Sequence, residues 1–121
     1  MDSPRVALIR RLFEHMEDNE LQRAAEELLE HSAEDVVFKP HAAHGQEIRG
    51  HDALREFWSK FVDDGLQMRA GVYSLSEEGD SVIVSGWVRT IDEGRLADTQ
   101  ARWVYRFNDE DEVVSAHIDR G

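Results

Sequence analysis

Lys39 ends the apolar run Val36-Val37-Phe38, directly before Pro40, and His41, His44 and His51 follow it. A lysine aimed into an apolar pocket loses hydration, which lowers its pKa and makes it a base, a carboxylate ligand or a Schiff-base former. An imidazole such as that of His41 titrates near neutrality and suits acid–base work. Each has a plainer reading, a strand-end lysine that snorkels to solvent and polar residues of an exposed loop. His41 and His44 have His-x-x-His spacing, but a metal needs further ligands in fixed geometry, so no metal site is expected. His117 and Asp119 flank Ile118 and share one face of a strand, where a carboxylate could orient an imidazole. Residues two apart on a strand are about 7 Å apart at Cα, long for direct contact. Trp103, Tyr105 and Phe107 form a stripe that reads as core or pocket wall, with the Tyr105 hydroxyl available to a ligand.

The elements that position these residues follow from periodicity. Ser3 before Pro4 predicts a helix start, with apolar Leu8, Ile9, Leu12, Phe13 and Met16 on one face. A second helix is expected from about Glu20 to His31, with Leu21, Ala24, Ala25, Leu28 and Leu29 inward. The intervening charges read as solvated faces. Ser32-Ala33-Glu34 reads as a linker, and Val36 to Phe38 as a short strand ended by Pro40. Gly50 precedes a third helix, from His51 to about Val62, with Leu54, Phe57, Trp58, Phe61 and Val62 as its stripe.

From Leu66 the period becomes two. Strands are expected over 66–73, 81–91, 97–107 and 113–119. Turns fall at Ser76 to Asp80, Asp92 to Arg95 and Asn108 to Glu112. The order predicts an α+β domain, three helices on one face of a twisted antiparallel sheet, with a ligand cavity at the wide end. Ile83, Trp87, Ile91 and Val104 then fall on the outer face, an apolar patch that suits a two-fold homodimer.

Composition narrows the function classes. The chain has 121 residues, enough for one domain spanning 1–121 with a real core. It has no cysteine, which excludes disulfides, thiol catalysis and cysteine-ligated metals. Its net charge of −12 repels nucleic acid and anionic membranes, so neither is an expected partner. No apolar run is long enough to span a bilayer and no signal-peptide pattern is present, so a cytoplasmic location is expected. The sequence carries no Gly-rich phosphate loop, Gly-x-Ser-x-Gly, His-Glu-x-x-His or calcium loop, and no cofactor is expected.

Three segments carry a resemblance to a family: Ala33-Glu34-Asp35-Val36-Val37-Phe38-Lys39-Pro40; Arg49-Gly50-His51-Asp52-Ala53-Leu54-Arg55-Glu56-Phe57-Trp58; and Tyr105-Arg106-Phe107-Asn108 with Glu112-Val113-Val114-Ser115. With them the whole chain resembles the nuclear-transport-factor-2-like superfamily, which includes SnoaL-like polyketide cyclases and ketosteroid isomerases. The resemblance implies a cone, a curved sheet wrapped around three helices. It also implies where the isomerases keep their aspartate base, oxyanion tyrosine and protonated aspartate. Those positions match Lys39, Leu12 or Phe13, and Trp103, so steroid isomerase chemistry is not expected. By the same register Ala116 and Ile118 face the cavity and His117 faces outward.

Two function classes fit. One is a small-molecule-binding protein with an apolar pocket lined by Phe13, Trp58, Trp103, Tyr105 and Ile118. It would take a hydrophobic or aromatic ligand, and Lys39 and His41 are the catalytic candidates for a cofactor-independent isomerisation, cyclisation or dehydration. The other is a non-catalytic binding or dimerisation module of the same fold.

Overall fold

A computed structural model of the chain describes residues 3–39, 47–63, 65, 67–92 and 94–120. Among these, helix α1 spans Pro4–Glu17, α2 Leu21–Glu30 and α3 His51–Asp63. Strand β1 spans Ser32–Lys39, β2 Ile48–Arg49, β3 Gln67–Glu78, β4 Ser81–Asp92, β5 Arg95–Phe107 and β6 Val113–Arg120. The strands form one six-stranded sheet in the order β2-β1-β6-β5-β4-β3.

Helix α1 begins as the sequence predicts. Ser3 is its N-cap, with the Ser3 hydroxyl accepting from the Val6 N–H at 3.2 Å and Pro4 opening the first turn. Val6, Leu8, Ile9, Leu12, Phe13 and Met16 form its buried face. At its outer end Arg5 donates to Asp111 Oδ1 at 2.6 Å and to the Asn108 carbonyl at 2.9 Å, tying the helix to the β5–β6 turn. The Arg5 guanidinium also lies 5.3 Å from the Phe107 ring centre. On the far side of α1, Arg11 and His15 both reach Glu27 of α2, at 2.6 and 2.9 Å. Partial burial opposes ionisation of Glu27, but the two hydrogen bonds prevail and hold its carboxyl below the usual range.

Four expectations are corrected. Residues 32–34 are strand, not linker, because Ser32 is buried with its hydroxyl on the Leu28 carbonyl and pairs with Val113. The sheet is mixed: β1 runs parallel to β6, with Phe38 beside Ala116 and Lys39 beside His117. The helix and strands between β1 and β6 return the chain to that edge in the same direction, which no hairpin could do. The two-residue strand β2, antiparallel to β1, is too short to show a period. Strand β3 continues to Glu78, since Glu77 and Glu78 pair with Val82 and Ser81, and the turn is confined to Gly79 and Asp80.

Strand alternation gives the sheet two faces. The concave rows are Val82–Tyr105–Ala116, Val84–Trp103–Ile118 and Gly86–Ala101. The convex rows include Ile83–Val104–His117 and Ser85–Arg102–Asp119. The sheet bends at β3 and β4, where the register shifts between Val72 and Ser74. Beside that shift, the inner side of Gly86 lies against the Gly71 carbonyl, and the Trp87 indole covers Gly71 from outside. A methyl at either position would collide with these neighbours. Gly86→Ala is therefore expected to destabilise the fold by about 2 kcal/mol or more. Urea unfolding checks this, and a change under about 0.5 kcal/mol would contradict the close approach.

Candidate functional site

The concave face is covered unevenly: on β3 burial extends to Ala70, 0% exposed and in the row of Val88 and Thr99, whereas on β5 it stops at Ala101. On β5 the inward positions Phe107, Tyr105, Trp103 and Ala101 are 3, 4, 3 and 5% exposed. The next two inward positions, Thr99 and Ala97, are exposed. Strand β4 changes in step: Val82, Val84 and Gly86 are buried, whereas Val88 and Thr90 are half-buried. Phe13 fills the covered half, its ring edge-on to Trp103 at 4.8 Å and to Tyr105 at 6.5 Å. A second aromatic group joins Phe38 of β1 to Phe57 and Trp58 of α3, at 6.1 and 5.5 Å. Half-buried apolar Val88 and Met68 lie on the sheet beyond the Gly86–Ala101 row, whereas Ile118 belongs to the covered Trp103 row.

Two cavities are lined by described residues. A hollow of about 510 Å³ lies where the α1–α2 turn meets the start of β3, between Asn19, Leu21, Arg23, Gly65 and Met68. A cleft of about 150 Å³ separates α2 from α3, and Trp58 forms part of its wall. The first is of ligand size; the second is smaller than a drug-sized site.

The expected site residues divide accordingly. Phe13, Trp103 and Tyr105 are buried core, Trp103 and Tyr105 being the inner wall of the cone. Trp58, packed on Phe38, and Ile118, beside Trp103, are half-buried. Lys39 is exposed at the end of β1, in register with outward-facing His117, so it stands on the convex side. His41 and His44 lie outside the described residues. His51 opens α3 and places its Nε2 3.2 Å from the Ser32 carbonyl and 3.0 Å from the Ala33 carbonyl. Two carbonyl acceptors make that nitrogen a donor, and the ring pins α3 to β1. His117 does face outward, and its Nε2 reaches within 3.4 Å of Asp119 Oδ2, closer than the strand spacing suggests because the two side chains lean together. Among the described residues, no group of three or more His, Asp or Glu side chains could hold a metal.

Among the described residues the buried set holds one titratable side chain, Tyr105. Burial pushes its phenol well above the usual value, so at neutral pH it is a hydrogen-bond donor and not a base. The sequence led to a cavity at the wide end without saying where along β5 it begins, and the reading missed the α2–α3 cleft. The small residues Gly86, Ala101 and Ala25 were the available signals, since each leaves space where a larger side chain would fill it. The raised phenol sets an alkaline limit. The folded form holds the proton to higher pH than the unfolded chain, so stability falls as pH rises above about 10. Tyr105→Phe is expected to flatten that decline in pH-dependent denaturation curves, and an unchanged alkaline slope would contradict the buried phenol.

The SnoaL-like domain family model matches residues 9–116. A structure of an NTF2-like protein of unknown function from Burkholderia pseudomallei superposes with a TM-score of 0.81 at 22% identity, covering 99% of this chain and 92% of that one. A candidate SnoaL-like polyketide cyclase from Jannaschia superposes at 0.76 with 17% identity, covering 98% and 88%. An LEH-like epoxide hydrolase from M. tuberculosis gives 0.76 at 8% identity, covering 97% and 82%. These likenesses are of fold. No curated protein matches this chain in sequence.

Proposed function

This chain belongs to the SnoaL-like domain family, and we propose that it binds a small hydrophobic or aromatic molecule on the open half of its concave sheet face. The observation that carries this reading is the break in burial along β5, from Ala101 at 5% to exposed Thr99 and Ala97. Apolar Val88 and Met68 continue the concave surface past the Gly86–Ala101 row, which is the arrangement of an apolar ligand site. Trp103 stands one row inside the Gly86–Ala101 boundary, and Tyr105 lies one row further in.

Binding without chemistry is the reading favoured by the described residues. Tyr105 is held protonated, Lys39 stands on the convex side, and the isomerase carboxylates have no counterpart at Lys39 or Trp103. The fold is shared with a candidate polyketide cyclase and an epoxide hydrolase, and a fold hosts many activities. Their reactions therefore do not transfer on likeness alone.

A ligand present at about a hundredfold excess over its Kd should stabilise the fold by about 2.7 kcal/mol. A panel of aromatic and steroid-like compounds in a thermal-shift assay checks this. The emission of Trp103 should change on binding in a Trp58→Phe, Trp87→Phe background, and Lys39→Ala should leave affinity unchanged. If no compound shifts the melting temperature or the emission, the reading fails.

The convex face supports a proposal of its own, a homodimer. Ile83, Trp87, Ile91 and Val104 are half-buried there, a patch suited to a second copy. Exposed Lys39, Arg102 and Arg106 surround Val104 and His117, so a two-fold contact brings like charges together. Raising ionic strength screens that repulsion and should strengthen the dimer. Sedimentation across a salt series tests it, and a monomer at every concentration and salt level would refute it.

A further inference from the structure

We propose that the cleft between α2 and α3 is a second binding site, separate from the concave face, for a monocationic amine carried on a body about the size of one aromatic ring. The cleft holds about 150 Å³, the volume at which an apolar cavity accepts a benzene-sized guest. Its floor is apolar: Leu29 and Ala25 are 2 and 7% exposed, and Leu21 and Trp58 are half-buried. The size of this space follows from Ala25, since a larger residue one turn before Leu29 would close it.

The rim sets the charge of the guest. Glu26 of α2 and Asp63 of α3 line the cleft from opposite sides, and both are exposed. Arg55 is the cation among the lining residues, 3.7 Å from exposed Asp52 of its own helix, so two lining carboxylates stand against one guanidinium. The opening is therefore negative, in a chain whose net charge is already −12. The net negative rim favours an ammonium group over a carboxylate at the same point. The packing of Trp58 against Phe38 and Phe57, at 5.5 and 6.5 Å, holds the indole in place from the core side.

Phenethylamine is the probe, with phenylacetate as its anionic counterpart, titrated calorimetrically into the full chain at low salt. Phenethylamine should bind at least about tenfold more tightly than phenylacetate. The double substitution Glu26→Gln with Asp63→Asn should weaken phenethylamine about three- to tenfold, and added salt should weaken it further. Ser59→Trp, at the exposed rim, should block the cleft while leaving aromatic ligands on the concave face unaffected. Equal binding of the two probes, no loss in either variant, or no binding up to about 10 mM would each overturn the proposal.

Discussion

The sheet of this protein can hold helices on one face because it bends where two glycines meet. At Gly86 the neighbouring strand comes so close that the Gly71 carbonyl occupies the place of a side chain. On the other side the Trp87 indole lies over Gly71. A flat sheet with side chains at both positions would keep β3 and β4 at ordinary spacing, and the long strands would not curl around α1. The register shift between Val72 and Ser74 adds the local twist that such a bend requires. The cone, its filled end and its open end all follow from that approach.

Curvature then separates two environments on the same strands. Inside, Trp103 and Tyr105 are closed off by Phe13 as a packed aromatic group. Further along β5, Thr99 and Ala97 are exposed, while Ala70 at the β3 end of the Thr99 row stays buried. Outside, apolar Ile83, Trp87 and Val104 share the surface with Lys39, Arg102 and Arg106. A single step of one residue decides which environment a side chain meets. That is why Lys39, one position after buried Phe38, stands beside outward His117 and away from the interior.

Belonging to a family fixes architecture here more firmly than chemistry. The solved neighbours align over nearly the whole chain at 8 to 22% identity, a level at which the fold persists and site residues are free to change. The buried set among the described residues retains one titratable group, a phenol that desolvation keeps protonated.

Periodicity and capping chemistry are local properties, and the sequence by itself determined what depends on them. Ser3 and Pro4 start α1, Gly50 precedes α3 with a φ of +89°, and the alternation along 82–88 and 101–107 assigns the faces of β4 and β5. The family resemblance added the outward turn of His117. What the sequence left open depends on partners distant along the chain. The parallel pairing of β1 with β6, the strand character of Ser32 and the inclusion of Ile48 and Arg49 in the sheet are decided by residues far from them in sequence. The same holds for the exposed half of the concave face and for the α2–α3 cleft, since each is a space between elements. A hydrophobic pattern says which side of an element is buried. Only the packed tertiary structure says how closely two buried sides approach, and that distance decides where a cavity remains.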